Sequence, residues 1–298
     1  MIIQTESLTK YYGKARGIVD VNLAVEQGEV FGFLGPNGAG KSTTIRLLLD
    51  IIRPTSGRAT IFGLDAHKDA LAIHARTGIL PGDFALYPRL TGEENLRYLA
   101  NLRGGVDWTF VRQLADRLEA DLSKQVKAYS SGNRQKIGLI QAFMHRPELL
   151  ILDEPTNGLD PLIQQEFYAL VREAIGAGQT VFLSSHNLPE VERVCDRVGI
   201  IREGQLVAVE QVSALKAKAL RQIELVFDGP APLHAFEQLP GVRDVVASNS
   251  HLRCTVAGSL DPVIKQAAQY TVVNMISQDP NLEDIFLAFY GKEGNNHA

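Results

Sequence analysis

Cysteine is scarce in the 298-residue chain: there are two, Cys195 and Cys254, about 60 residues apart. That leaves no disulfide framework or zinc site to organise the fold, and the pair reads as buried thiols of a reducing compartment. No run of about 18 apolar residues occurs, so the sequence predicts no membrane-spanning helix. The opening Met1-Ile-Ile-Gln-Thr-Glu is too polar to begin a signal peptide. Blocks of like charge are also missing, and 30 Lys+Arg stand against 34 Asp+Glu for a net charge of −4. Nucleic acid and anionic lipid reward clustered Lys and Arg, so neither is expected as the main partner. What is present, with 45% apolar residues, is the composition of a soluble globular protein of one large domain or two smaller ones.

Short apolar runs alternate with longer helical patterns, the mark of an α/β protein. Residues 30–34, 149–152, 180–184 and 198–201 are nearly continuous apolar runs, as in strands buried on both faces. Residues 41–50 and 162–174 carry helical periodicity, whereas 2–8 and 18–25 alternate apolar and polar side chains like antiparallel strands with one wet face. A mixed sheet follows. Near residue 218 the character changes, and strands 223–227, 242–246, 252–256 and 271–276 interleave with helices 232–238 and 261–268. The order βαββαβ is that of a ferredoxin-like split βαβ, with a last helix at 283–289. The expected organisation is a main domain over 1–217, a helical connector around 212–219, a small α+β domain over 218–291, and a disordered polar tail over 292–298. Fold order gives that second domain no role by itself; support of dimer contacts or regulation of closure is the expectation.

Gly35-Pro-Asn37-Gly38-Ala-Gly40-Lys41-Ser42-Thr43 fits G-x-x-x-x-G-K-[ST], directly after an apolar strand and at the start of a helix. Glycines there let successive N–H groups converge on phosphate oxygens at a helix N-terminus, Lys41 reaches the terminal phosphates, and the Ser42 hydroxyl serves Mg²⁺. A second apolar strand ends in Asp153-Glu154. Alone, two acids after a strand are an ordinary turn. Beside a phosphate loop, Asp153 reads as a Mg²⁺ ligand through water and Glu154 as general base, or orienting acceptor, for the attacking water.

Between and after these elements stand Tyr129-Ser130-Ser131-Gly132-Asn133-Arg-Gln-Lys136, then Asn157-Gly-Leu-Asp160-Pro161, then His186 at a strand end. Five motifs in this order resemble the ATP-binding cassette (ABC) of ABC transporters over about residues 1–217. The resemblance implies a P-loop NTPase with a helical signature subdomain, ATP and Mg²⁺ as cofactors, and ATP hydrolysis. It identifies 129–136 as the signature, Asp160 as part of the D-loop and His186 as the switch histidine acting on the γ-phosphate or its water. It also implies a head-to-tail homodimer, in which Ser130, Ser131, Gly132 and Asn133 touch the nucleotide held by the other subunit. Tyr12 corresponds to the aromatic that stacks on adenine, with Tyr11 as the alternative. Without the resemblance, Ser130 is a helix cap and Tyr12 a core or rim residue.

The pattern departs where the family has a glutamine that reaches Mg²⁺. Gly82 occupies that place, with Asp83 as a candidate substitute through water. In the signature, Tyr129, Ser131 and Asn133 replace leucine, glycine and glutamine, mild changes that predict retained ATPase activity. The resemblance implies a cytoplasmic subunit attached to the inner face of the membrane through a separate permease, of the exporter kind. Phe84 and Tyr87 mark a docking surface for it or, equally, packing under a loop. The alternative is a soluble ABC ATPase acting on ribosomes or DNA.

Overall fold

The computed structural model describes residues 1–218 and 220–278. The chain divides into two compact units, Met1–Glu210 and Gln211–Ala298, a boundary seven residues before the expected one.

In the first unit a six-stranded sheet runs in the order Gln205–Gln211, Arg197–Arg202, Val30–Leu34, Thr180–Ser185, Leu149–Asp153, Thr77–Leu80. The last five pair in parallel. Every residue of Val30–Leu34, Thr180–Ser185 and Leu149–Asp153 is buried, which is why these segments read as continuous apolar runs rather than alternations. Phe182 packs between Phe31 and Phe33, with ring centroids 5.9 and 5.6 Å away. The register places Leu34 opposite Ser185 and Ser184 opposite Asp153. Three adjacent strands therefore end together, and their carboxyl ends deliver Gly35, His186 and Glu154 to one edge of the sheet, where parallel α/β sheets place their ligands.

The alternating segments form a sheet of their own. Ala15–Val21, Ile3–Tyr12, Ser56–Ile61 and Leu64–Asp65 lie side by side, with Ala24–Val25 also paired to Ile3–Tyr12, all antiparallel. Parallel and antiparallel pairing thus both occur in this unit. A two-residue turn at Gly13-Lys14, with Gly13 at φ 60°, closes the first hairpin and sets Tyr12 opposite Ala15 and Tyr11 opposite Arg16.

Three helices, Gly92–Leu102, Trp108–Arg117 and Ser131–Phe143, make up the helical part. Each begins where the sequence supplies a cap: a Thr91/Glu94 capping box, Asp107 and Ser130. Arg117 ties this part to the helix Pro161–Gly176, bonding both oxygens of Glu173 at 2.7 Å and also Glu166.

In the second unit, after the helix Val212–Lys218, strands lie in the order Val242–Ser248, His251–Ala257, Leu220–Phe227, Val272–Gln278, all antiparallel. Numbered along the chain this is 2-3-1-4, with helices Leu233–Glu237 and Asp261–Ala267 at the crossovers. Ile223, Leu225, Phe236, Leu252 and Val256 form its core. The helix expected at 283–289 and the tail at 292–298 lie outside the described residues. Both cysteines are free and buried, and burial pushes the Cys254 thiol up to about 11. Among the described residues no helix is long and apolar enough to cross a membrane.

Candidate active site

The phosphate loop is pressed against its neighbours. Gly40 has φ 114°, and a Cβ there would lie 2.6 Å from Ile18 Cγ2; a Cβ on Gly35 would lie 2.3 Å from the Ile201 carbonyl. Only glycine fits either place. Lys41 opens the helix Lys41–Leu48 and is 6% exposed. Its ammonium donates to the Gly35 and Pro36 carbonyls at 2.6 and 3.3 Å and stands 3.2 Å from Glu154 Oε1. Asn37, Gly38, Gly40, Lys41, Ser42 and Thr43 line one side of a cavity of about 260 Å³, and Tyr12, Arg16, Gly17 and Glu154 complete it. A helix N-terminus and a nearly buried ammonium on the floor of an open cavity fit the oxygens of a nucleotide phosphate.

Asp153 is 4% exposed and accepts a hydrogen bond from the Ser184 hydroxyl across the strand pair. Glu154 follows with φ 51°, a left-handed conformation that costs a non-glycine residue roughly 1–2 kcal/mol. Three bonds hold it there. Its N–H donates to Ser184 Oγ at 3.0 Å, and Gln135 Nε2, from the signature helix, donates to the Glu154 and Pro155 carbonyls at 3.2 and 3.0 Å. The strained turn aims the carboxylate so that Oε1 meets Lys41 and Oε2 lies 2.7 Å from His186 Nδ1. A carboxylate only accepts, so Nδ1 is the donor.

Asp83 does not join this group. Its carboxylate is exposed and pairs with Arg46 at 2.8 Å. Gly82 is what faces the site: a Cβ there would lie 2.9 Å from Asp153 Oδ2. The expected substitution of Asp83 for glutamine is therefore corrected, since the main chain at Gly82 already occupies the approach to Asp153.

The signature residues play two parts. Ser130 Oγ caps Ser131–Phe143 by accepting from the Asn133 N–H at 3.1 Å, and both Ser130 and Ser131 are exposed. Gly132 packs on the D-loop, where a Cβ would lie 2.7 Å from the Gly158 carbonyl. Asn133 is engaged within the chain. Its Oδ1 accepts from the Asp121 N–H at 2.8 Å and its Nδ2 donates to the Asp121 carbonyl at 3.1 Å, with the Tyr129 hydroxyl on the same carbonyl. Within the chain the Asn133 side chain thus clamps the segment at Asp121. Asp160 caps Pro161–Gly176, accepting from the Leu162 and Ile163 N–H groups at 3.1 Å.

Tyr12 lines the cavity and is 46% exposed, with Lys10 Nζ 5.4 Å from its ring centroid, whereas Tyr11 is not among the lining residues. Phe84 packs on Gly138, and Tyr87 is exposed with Tyr98 edge-on at 5.2 Å. Sequence reasoning missed Arg16, Ser184 and Gln135. The Gly13-Lys14 turn would have found Arg16, because it fixes the hairpin register. Ser184 and Gln135 depend on pairings between segments distant in the chain.

Comparison with known proteins agrees with this geometry. The family profile described as ABC transporter matches residues 18–157, and a profile for an AAA domain matches 125–191. The chain is 34% identical to the bacitracin transport ATP-binding protein BcrA of Enterococcus faecalis, over 98% of this chain and 97% of the relative. It is 33% identical to the linearmycin resistance ATP-binding protein LnrL of Bacillus subtilis, over 98% and 99%, and 33% identical to the Nod factor export ATP-binding protein I of Paraburkholderia xenovorans, over 98% and 97%. A solved ATP-binding subunit of an ABC transporter superposes with a TM-score of 0.66 at 30% identity, covering 72% of this chain and 92% of its own. A dimeric cassette bound to ADP and Pi shares the fold, with a TM-score of 0.64 at 22% identity over 71% and 99%. A phosphate loop, a carboxylate–histidine pair beside it and near full-length relatives converge on one assignment: the chain belongs to the ABC transporter family, as an ATP-binding subunit with ATPase activity.

Proposed function

We propose that the chain drives a separate membrane permease of the exporter kind, closing as a head-to-tail homodimer on two ATP molecules and opening after hydrolysis. The observation that carries this is the separation of its two anion-binding helix ends. The cavity at Lys41 contains no signature residue, while Ser130 and Ser131 stand exposed at a second helix N-terminus. Each end lacks what a second copy would bring.

Within the site Lys41 binds the terminal phosphates, Tyr12 stacks on the base, and Glu154 accepts from the attacking water while His186 orients it. Ser42 and Asp153, the latter through water, are the residues that would hold Mg²⁺, an ion that neutralises phosphate charge. Among the described residues no group of three or more acidic, His or Cys side chains forms a cation cage. That suits Mg²⁺, which takes most of its ligands from phosphate and water. Exposed Tyr87 and Tyr98 offer a docking surface for the permease, and Phe84 serves packing. The functions named for the relatives, bacitracin transport, linearmycin resistance and Nod factor export, support outward transport. The subunit would then sit on the inner face of the membrane through its partner.

The test is to tag the Glu154→Gln variant, which binds ATP and closes but hydrolyses slowly, and purify it from cells with Mg-ATP and detergent. Recovery of a dimer with a polytopic membrane protein is expected; recovery as a soluble species with ribosomes, DNA or nothing refutes the permease reading.

A further inference from the structure

His186 is carried on a turn whose two flanks are tied to one buried acid. Glu190, on Leu188–Val194, is 2% exposed, and its Oε2 accepts from the Ser185 hydroxyl at 2.6 Å. Ser185 Oγ in turn accepts from the Asn187 N–H at 2.9 Å. The residue enclosed by this pair is His186, whose Nδ1 lies 2.7 Å from Glu154 Oε2. Thr156, on the turn that follows Glu154, lies beside the same Glu190 carboxyl, while Glu190 Oε1 is buried with no hydrogen-bond partner.

A carboxyl in this place is expensive. Burial raises it above the ordinary carboxylate range, and an oxygen left without a donor costs stability. Leucine would fill the space without that cost. Packing alone therefore does not account for an acid here, and a positioning role does. We propose that Glu190 is a positioning residue for ATP hydrolysis: through Ser185 it fixes the main chain on both sides of His186, and so holds the imidazole against Glu154. Through Thr156 it ties that hold to the turn leading to Gly158, on which the signature Gly132 packs. Misplacement of a reacting group by about 1 Å can cost 100-fold in rate, so a main-chain brace this close to the histidine has leverage on kcat without touching nucleotide. This proposal deepens the role assigned above to His186 and rests on it.

The experiment measures ATP hydrolysis and nucleotide affinity on the full-length chain. Glu190→Leu is expected to lower kcat by at least about tenfold with KM for ATP within about twofold, whereas Glu190→Gln, which keeps an acceptor for Ser185, stays within about threefold of wild type. A merely structural role would move stability and KM together and would not be rescued by glutamine. In the His186→Ala background, single-turnover rates should show no further loss from Glu190→Leu, because the brace then has nothing to hold. Should Glu190→Leu not fold, Ser185→Ala removes the same link by a smaller change and carries the same expectations. Full activity in both Glu190→Leu and Ser185→Ala, or losses that multiply with His186→Ala, overturns the proposal while leaving the role of His186 standing. Undiminished hydrolysis in His186→Ala alone overturns that role, and the brace with it.

Discussion

Replacing Gly82 by alanine adds one methyl at the point where this chain departs from its family, and the structure sets the size of the effect. The new Cβ would lie 2.9 Å from Asp153 Oδ2, a few tenths of an ångström inside an ordinary carbon–oxygen contact. Gly82 does not have a positive φ, so the substitution introduces no backbone strain and acts through the contact alone. Asp153 is a short side chain, 4% exposed, with its other oxygen held by Ser184. It can retreat only by turning its carboxylate, which loosens that bond. A hydrogen bond to a charged group contributes about 1.5–3 kcal/mol, equivalent to roughly 10- to 100-fold in binding. The half-saturating Mg²⁺ concentration for ATP hydrolysis is therefore expected to rise by that factor in Gly82→Ala, with ATP affinity in the absence of metal unchanged. Gly82→Gln, which installs the family's usual residue, carries the same Cβ and should be impaired rather than improved. The assay is a Mg²⁺ titration of hydrolysis beside metal-free nucleotide binding. An unchanged Mg²⁺ midpoint in Gly82→Ala would show that the loop at residues 81–84 yields instead of Asp153, and would refute the reasoning.

Asn133→Ala removes two main-chain bonds to Asp121 and is expected to cost about 1–2 kcal/mol, a fall in Tm of roughly 2–8 °C by calorimetry, with nucleotide affinity of the monomer unaltered. Arg117→Met breaks the link to Glu166 and Glu173; because Glu173 is half in water, a loss of about 1 kcal/mol is expected, shrinking as salt is raised in parallel melts. His145 is pushed down to about 4, chiefly by burial and then by nearby Arg103. The unfolded chain, near 6.5, thus binds the extra proton between those values, and stability present above pH 6.5 is lost as pH falls toward 4. Partial exposure limits this to about 1 kcal/mol, seen as a flatter pH dependence of Tm in His145→Gln.

The sequence made the fold readable wherever one local rule decided the structure. Val30–Leu34 and Leu149–Asp153 are buried on both faces, so their apolar runs needed no partner to be recognised as strands. Ser130 caps its helix by a bond within three residues, and that start was legible for that reason. The division of the strands into two sheets was not legible, because alternation tells which face of a strand is wet and says nothing of which strand lies beside it. Asp83 failed for a related cause. Proximity in sequence to the family's metal-reaching glutamine placed it near Asp153, but the chain turns at Gly82-Asp83 just past the end of Thr77–Leu80, so that Gly82 faces inward while Asp83 meets Arg46.

The residues that hold the catalytic pair share one property: their partners come from other strands and helices. Ser184 reaches Asp153 across a parallel strand pair, Gln135 reaches Glu154 from the signature helix, and Arg16 enters the cavity only because a tight turn folds one strand back on another. A motif records what touches the ligand, since that chemistry constrains residue type at fixed spacing. The supporting bonds constrain geometry, and many side chains can supply an amide or hydroxyl at the required point. The left-handed Glu154 makes the consequence concrete. Its conformation costs about as much as the Gln135 and Ser184 bonds return, so the site keeps its strained turn only while the signature helix stays docked on it. A displacement of that helix would thereby be felt, within one subunit, at the residue that meets Lys41 and His186.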